Sequence, residues 1–259
     1  MADPSVLTPA APASAQRRSA FIVIVLSNSL LFFGFQLWRS LFNNFAVQEL
    51  GVRADQIGWI QSIREVPGLL GVCVALLALL IPEMRIVGLS VALMGVGIVL
   101  TGTADSLPAL VTSTFVMSVG FHFFMPCNSS SVLKLVGEDE APRALGRLGS
   151  LGALAALAGA GVVFLALEGL GFRGLFYATG ALLIVGGLVL LPWSRKPIRP
   201  AHVSSEGGGE GRTRRRSSIR RRYWLYYTLE FLLGSRRHIF TTFAVFLLVK
   251  EHQVSVQTI

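Results

Sequence analysis

Apolar residues come in blocks along this chain, several of them long enough to cross a bilayer. A helical crossing needs about 20 such residues. Of the 259 residues, 53% are hydrophobic and 14% charged, and the mean hydropathy is +0.63. A soluble domain averages about 45–50% apolar and about 25% charged. The blocks therefore predict an all-α, polytopic membrane protein. They exclude most soluble enzyme folds, a disordered chain and a secreted disulfide scaffold. The two cysteines, Cys73 and Cys127, both lie inside apolar blocks and read as small packing residues.

Seven spans are expected, at about 19–43, 56–81, 85–102, 107–136, 145–167, 175–193 and 223–249. Residues 1–18 are rich in Ala, Pro and Ser and read as a disordered tail. They end in Arg17-Arg18, the ordinary basic flank of a first span. The apolar run that follows is too long for a signal-peptide core, and no small-residue cleavage site closes it. Residues 19–193 form a six-span bundle in this reading, and 223–259 carry one further span. Between them, 194–222 is polar and cannot bury apolar surface, so it reads as a disordered linker.

The net charge is +9 with a pI near 10.5, and the placement of that charge carries more information than its sum. With a cytoplasmic N-terminus, the inside segments hold Arg17, Arg18, Arg85, Lys134, Arg143, Arg147 and ten basic residues of the linker. The outside segments hold Arg53, Arg173 and Lys250. The positive-inside rule thus favours a cytoplasmic N-terminus in a plasma or inner membrane. The linker includes Arg212, Arg214, Arg215, Arg216, Arg220, Arg221 and Arg222. This cluster reads as a topological signal that attracts anionic lipid, at about 1 kcal/mol per basic residue near the surface. No aromatic platform interleaves the arginines, so a nucleic-acid partner is not expected.

Spans one and seven resemble each other. Residues 39–47 read RSLFNNFAV and residues 237–245 read RHIFTTFAV, with Arg39/Arg237, Phe42/Phe240, Phe45/Phe243, Ala46/Ala244 and Val47/Val245 identical. Repeat copies pointing the same way must have an even number of spans between their starts, and six lie there. Parallel repeats of this kind point to a transporter built from two six-helix halves.

With six spans, a long basic linker and a seventh span echoing the first, the chain resembles the major facilitator superfamily over about residues 19–259. Leu50-Gly51 and Gln56-Ile57-Gly58-Trp59 before span two are similar to many members, as are Pro142, Arg143, Gly146, Arg147 and Gly149 at the entry to span five. The superfamily's Gly-x-x-x-Asp-Arg/Lys-x-Gly-Arg/Lys loop between spans two and three is replaced by Leu79-Leu80-Ile81-Pro82-Glu83-Met84-Arg85. The resemblance implies a truncated twelve-helix architecture with a central site between its halves. The chain is expected to be a fragment holding the N-terminal half and the first helix of the second.

Charged side chains at membrane depth are costly and therefore candidates for function. On span one, Asn28, Phe32, Gln36, Arg39 and Asn43 recur at three- and four-residue spacing and share a face. Gln36, Arg39 and Asn43 either line a solute path or, for Arg39, snorkel to the outer interface. Span two offers Arg64 and Glu65 just before Pro67. Adjacent residues diverge around a helix, so this pair is not expected to satisfy itself fully. Glu65 is the candidate proton-coupling carboxylate, against a static ion pair with a nearby arginine. Span four carries Ser118, His122 and Ser129 around Pro126, with His122 either a relay or a packing residue. Span seven carries Glu230, Gly234, Arg237 and Thr241 on one face, with Arg236 and His238 beside it. Arg237 reads as lining the central cavity or as an ion-pair partner. Small residues of span five, Gly146, Gly149, Gly152, Ala153, Ala156, Gly159 and Ala160, read as a close-packing surface.

No P-loop, metal-spaced Cys/His set or serine elbow appears, so neither a cofactor nor enzymatic chemistry is expected. The expected function is secondary active transport of a small solute by alternating access. The buried arginines suggest an anionic solute, and Glu65 suggests proton coupling. The alternatives are a non-transporting sensor or assembly partner that kept the fold, or an inactive fragment. The sequence does not set the oligomeric state.

Overall fold

The structure is a computed structural model describing residues 11–69, 71–136, 139–192, 224–225, 228–229, 232 and 245–252. Span seven's Glu230, Arg237 and His238, together with Arg236 and the 194–222 linker, lie outside the described residues. Two units divide at residues 201 and 202. The described residues of the second include a short helix, α7 (Val245–His252), in which Lys250 Nζ stands 5.9 Å from the centre of the Phe246 ring.

The first unit contains α1 (Ala11–Gln48), α2 (Ala54–Leu69), α3 (Gly71–Leu80), α4 (Glu83–Thr103), α5 (Leu107–Val136) and α6 (Ala141–Leu190). Among the described residues there is no strand. Four of these helices are long and apolar enough to cross a membrane, and α2 with α3 forms a fifth candidate bent by 47°. Pro67 sits inside α2 just before that bend, where it removes an N–H donor from the ladder. The fifty residues of α6 would reach about 75 Å as one straight helix, more than twice a bilayer core. Gly171 interrupts them with φ 65° and ψ 179°, a conformation open essentially to glycine alone.

Glycine approaches give the helix directions. A Cβ on Gly152 would meet Phe32 and Asn28, and one on Gly159 would meet Phe33 and Leu37, so residues 141–170 run parallel to α1. Gly34 faces Leu183 and Gly186 faces Leu30, so residues 172–190 run back against it. Gly97 meets Met117 while Gly120 meets Met94 and Ser90, which makes α4 and α5 antiparallel. The helical segments of the first unit are thus α1, α2 with α3, α4, α5 and the two parts of α6, one part on either side of Gly171.

A close seam joins α4 to residues 172–190. A Cβ on Gly95 would lie 2.6 Å from the Gly180 carbonyl oxygen, and one on Gly187 would lie 2.6 Å from that of Gly88. Each helix places its glycines seven residues apart, two turns, so the same face returns to the contact. The packing expected of span five holds at Gly152 and Gly159. At Gly146 and Gly149 the structure corrects it, because a Cβ there meets open space.

Each end of the bundle has its own core. Near the start of α1, Val23, Ile24, Met84, Val132, Leu135, Ala144, Leu148 and Leu190 cluster. At the opposite end Phe45 stacks edge-on against Phe176, with centroids 5.3 Å apart. There Arg173 donates to the carbonyls of Gly102 (2.8 Å) and Ala104 (3.1 Å). These belong to the last turn of α4, whose carbonyls lack helical partners. At the start of α2, Gln56 Oε1 accepts from the Arg53 backbone N–H at 2.9 Å, half of a capping box.

Candidate functional site

The site is built on the α2–α5 contact. Ser118 Oγ donates to the Arg64 carbonyl, and a Cβ on Gly68 would lie 2.9 Å from His122 Cε1. These two contacts, one turn apart, hold the helices parallel and bring His122 beside Glu65. Arg64 Nη2 lies 2.7 Å from Glu65 Oε1, and His122 Nε2 lies 3.6 Å from Glu65 Oε2. The latter is too long for a hydrogen bond but within ion-pair range should His122 be protonated. His122 is about midway along α5, some 22 Å from its start at 1.5 Å per residue. Three titratable side chains from two helices therefore meet near the middle of α5.

Although adjacent residues diverge around a helix, Arg64 and Glu65 do make contact. The long arginine stem lets its guanidinium reach round to the neighbouring carboxylate. The pairing is incomplete, since Arg64 Nε is buried without a hydrogen-bond partner among the described residues, as is Gln61 Oε1.

The polar face of α1 divides. Asn28 is buried; its Nδ2 donates to the Leu148 carbonyl at 3.0 Å and its Oδ1 accepts from Asn128 Nδ2 at 3.3 Å. That end of the face joins α1 to α5 and α6. Asn43 is also buried, and its Oδ1 lacks a partner among the described residues. Gln36 is half-buried and donates to Ser40 Oγ at 3.2 Å. Arg39 is exposed.

Sequence reasoning missed an aromatic shelf beside the charged cluster. Phe121 stands edge-on to the His122 ring at 5.5 Å and stacks on Phe35 of α1 at 4.5 Å. It also missed the network in which Trp38 Nε1 donates to Thr101 Oγ1 (3.2 Å), itself 3.3 Å from Ser113 Oγ. The run Phe121-His122-Phe123-Phe124 in one span was the available signal for the shelf.

The sequence model of the Major Facilitator Superfamily matches residues 22–259. The chain belongs to this superfamily. No curated protein and no solved structure matches it. Membership fits the alternating helices of residues 11–192 and makes the chain a multi-pass membrane protein of a transporter superfamily. The departure in the loop before α4 has a structural counterpart. Glu83 Oε2 pairs with Lys134 Nζ at 2.7 Å, and Glu83 Oε1 accepts from Ser130 Oγ at 3.0 Å. The loop's acidic residue is thus bound to α5 of the same bundle.

Proposed function

We propose that the protein is a secondary transporter that moves a small solute by alternating access, with proton movement coupled at Glu65. The observation carrying this reading is the Arg64–Glu65–His122 cluster between α2 and α5. A half-exposed carboxylate beside the middle of α5 is too costly to face lipid, so it must face water or a partner group. The lean toward an anionic solute draws nothing from Arg64, which is paired with Glu65. A cytoplasmic N-terminus is supported by helix direction together with the placement of charge. The end of the bundle holding Arg17, Arg18, Arg85, Lys134, Arg143 and Arg147 opposes the end holding Arg53 and Arg173. The linker arginines then meet anionic lipid on the inner side.

The test is solute-driven proton movement in proteoliposomes carrying the protein and an internal pH dye. The reading expects a dye response to a solute gradient that Glu65→Gln removes while membrane insertion persists. Normal insertion with no flux of anionic, cationic or neutral solutes would favour the sensor or assembly reading, or an inactive fragment. The Glu83–Lys134–Ser130 contacts are the feature on that side, because they join the altered loop to its own bundle.

A further inference from the structure

The three charged or chargeable groups of the site are unequally presented. The Arg64 side chain is 13% exposed and that of Glu65 is 38% exposed. His122 lies between them at 23%. The guanidinium therefore sits underneath and offsets the carboxylate's charge, and the carboxylate is the group an incoming solute meets. An anion approaching Glu65 would face a like charge at close range. A cation would gain a charge-assisted hydrogen bond, since a carboxylate has about four acceptor positions and Arg64 engages it at Oε1.

The aromatic shelf points the same way. Phe121 and Phe35 are both half-buried, and the shelf adjoins the imidazole that faces Glu65. Ring faces carry negative quadrupole charge, so they attract cations and stack with flat apolar groups. A carboxylate separated from such rings by one imidazole suits a head-and-body ligand, with the cationic head on the acid and the flat body reaching the rings.

We propose that this cluster binds an organic amine, its ammonium on Glu65 and its aromatic body against Phe121 and Phe35. The proposal rests on the carrier reading for the site's access to water, and it replaces the anionic lean with a different solute class.

The test uses the full chain in nanodiscs of phosphatidylcholine, whose zwitterionic surface does not itself collect amines. Dissociation constants are measured for phenethylamine, for phenylacetate and 2-phenylethanol as anionic and neutral counterparts, and for ethylamine, which lacks the ring. Phenethylamine is expected to bind at least about tenfold more tightly than each of the others, a difference of about 1.4 kcal/mol. Glu65→Gln should weaken it by a similar factor. Phe121→Leu should weaken phenethylamine severalfold and leave ethylamine unchanged. Should Glu65→Gln fail to fold, the wild-type series and Phe121→Leu still decide the matter. Equal or tighter binding of phenylacetate, no discrimination within the series, or no binding at all overturns the proposal. Amine binding without flux of any solute would instead overturn the carrier reading, whereas anion flux without amine preference would overturn only the solute class.

Discussion

Glu65 is held by a residue next to it in sequence and approached by one on another helix, so its neighbours can be altered one at a time. Glu65→Gln is expected to destabilise the bundle more than Arg64→Ala does, because it leaves the more buried guanidinium, which cannot shed its charge, without its carboxylate. Thermal unfolding in detergent ranks the two. Arg173 offers a cleaner measure of a single cation. It donates to two carbonyls at the end of α4 and lies 5.4 Å from the centre of the Phe45 ring. Arg173→Ala is expected to cost about 2 kcal/mol, read as a lower unfolding midpoint. At the start of α2, the Arg53 guanidinium holds Asp55 below the usual carboxylate range, chiefly through their hydrogen bond. A lowered folded-state pKa stabilises above the unfolded value of 3.8, and that gain fades as pH falls through the lowered one. Asp55→Asn should therefore lower stability slightly at neutral pH, leave the acid end unchanged and flatten the limb between them.

Among helices, glycine acts through contact at some positions and through backbone angle at another. At Gly95 the nearest atoms are the backbone of Gly180 and Ile184, which cannot rotate away. Gly95→Val should cost about 1–3 kcal/mol or force the helices apart. Gly149 has nothing within 4 Å, so Gly149→Ala should leave stability unchanged or slightly raised. Gly171 has room for a side chain but holds φ 65°, and Gly171→Ala is expected to lose about 1–3 kcal/mol through strain alone. Unfolding midpoints of these three variants separate crowding from backbone strain. The sequence pattern revealed that glycine clusters on certain spans. It could not show which clusters meet another helix, because that depends on how the neighbouring helix is turned.

For the molecule as a whole, the apolar blocks made the long helices of the first unit legible, since block length against bilayer thickness is a one-dimensional quantity. The break between spans five and six was legible too, in the Gly169–Gly174 neighbourhood, although the chain there remains helical on both sides of one residue. The site was half legible. Arg64, Glu65 and His122 stand out as charged or chargeable groups in apolar runs, but their meeting depends on parallel packing of α2 and α5. The shelf of Phe35 and Phe121 was hidden because an aromatic residue in a membrane helix carries no mark that separates lipid-facing from ligand-facing. Asn28 shows the reverse case, a polar residue on the expected face whose amide joins helices.

The central claim is that the cluster between α2 and α5 opens onto water and changes its exposure when solute binds. Phe121→Cys, in a chain with Cys73→Ser and Cys127→Ser, allows that exposure to be read with a membrane-impermeant thiosulfonate in oriented proteoliposomes. The account predicts labelling from one side in the absence of solute and a marked change in rate or sidedness once solute saturates the site. Protection from both sides under every condition would contradict it.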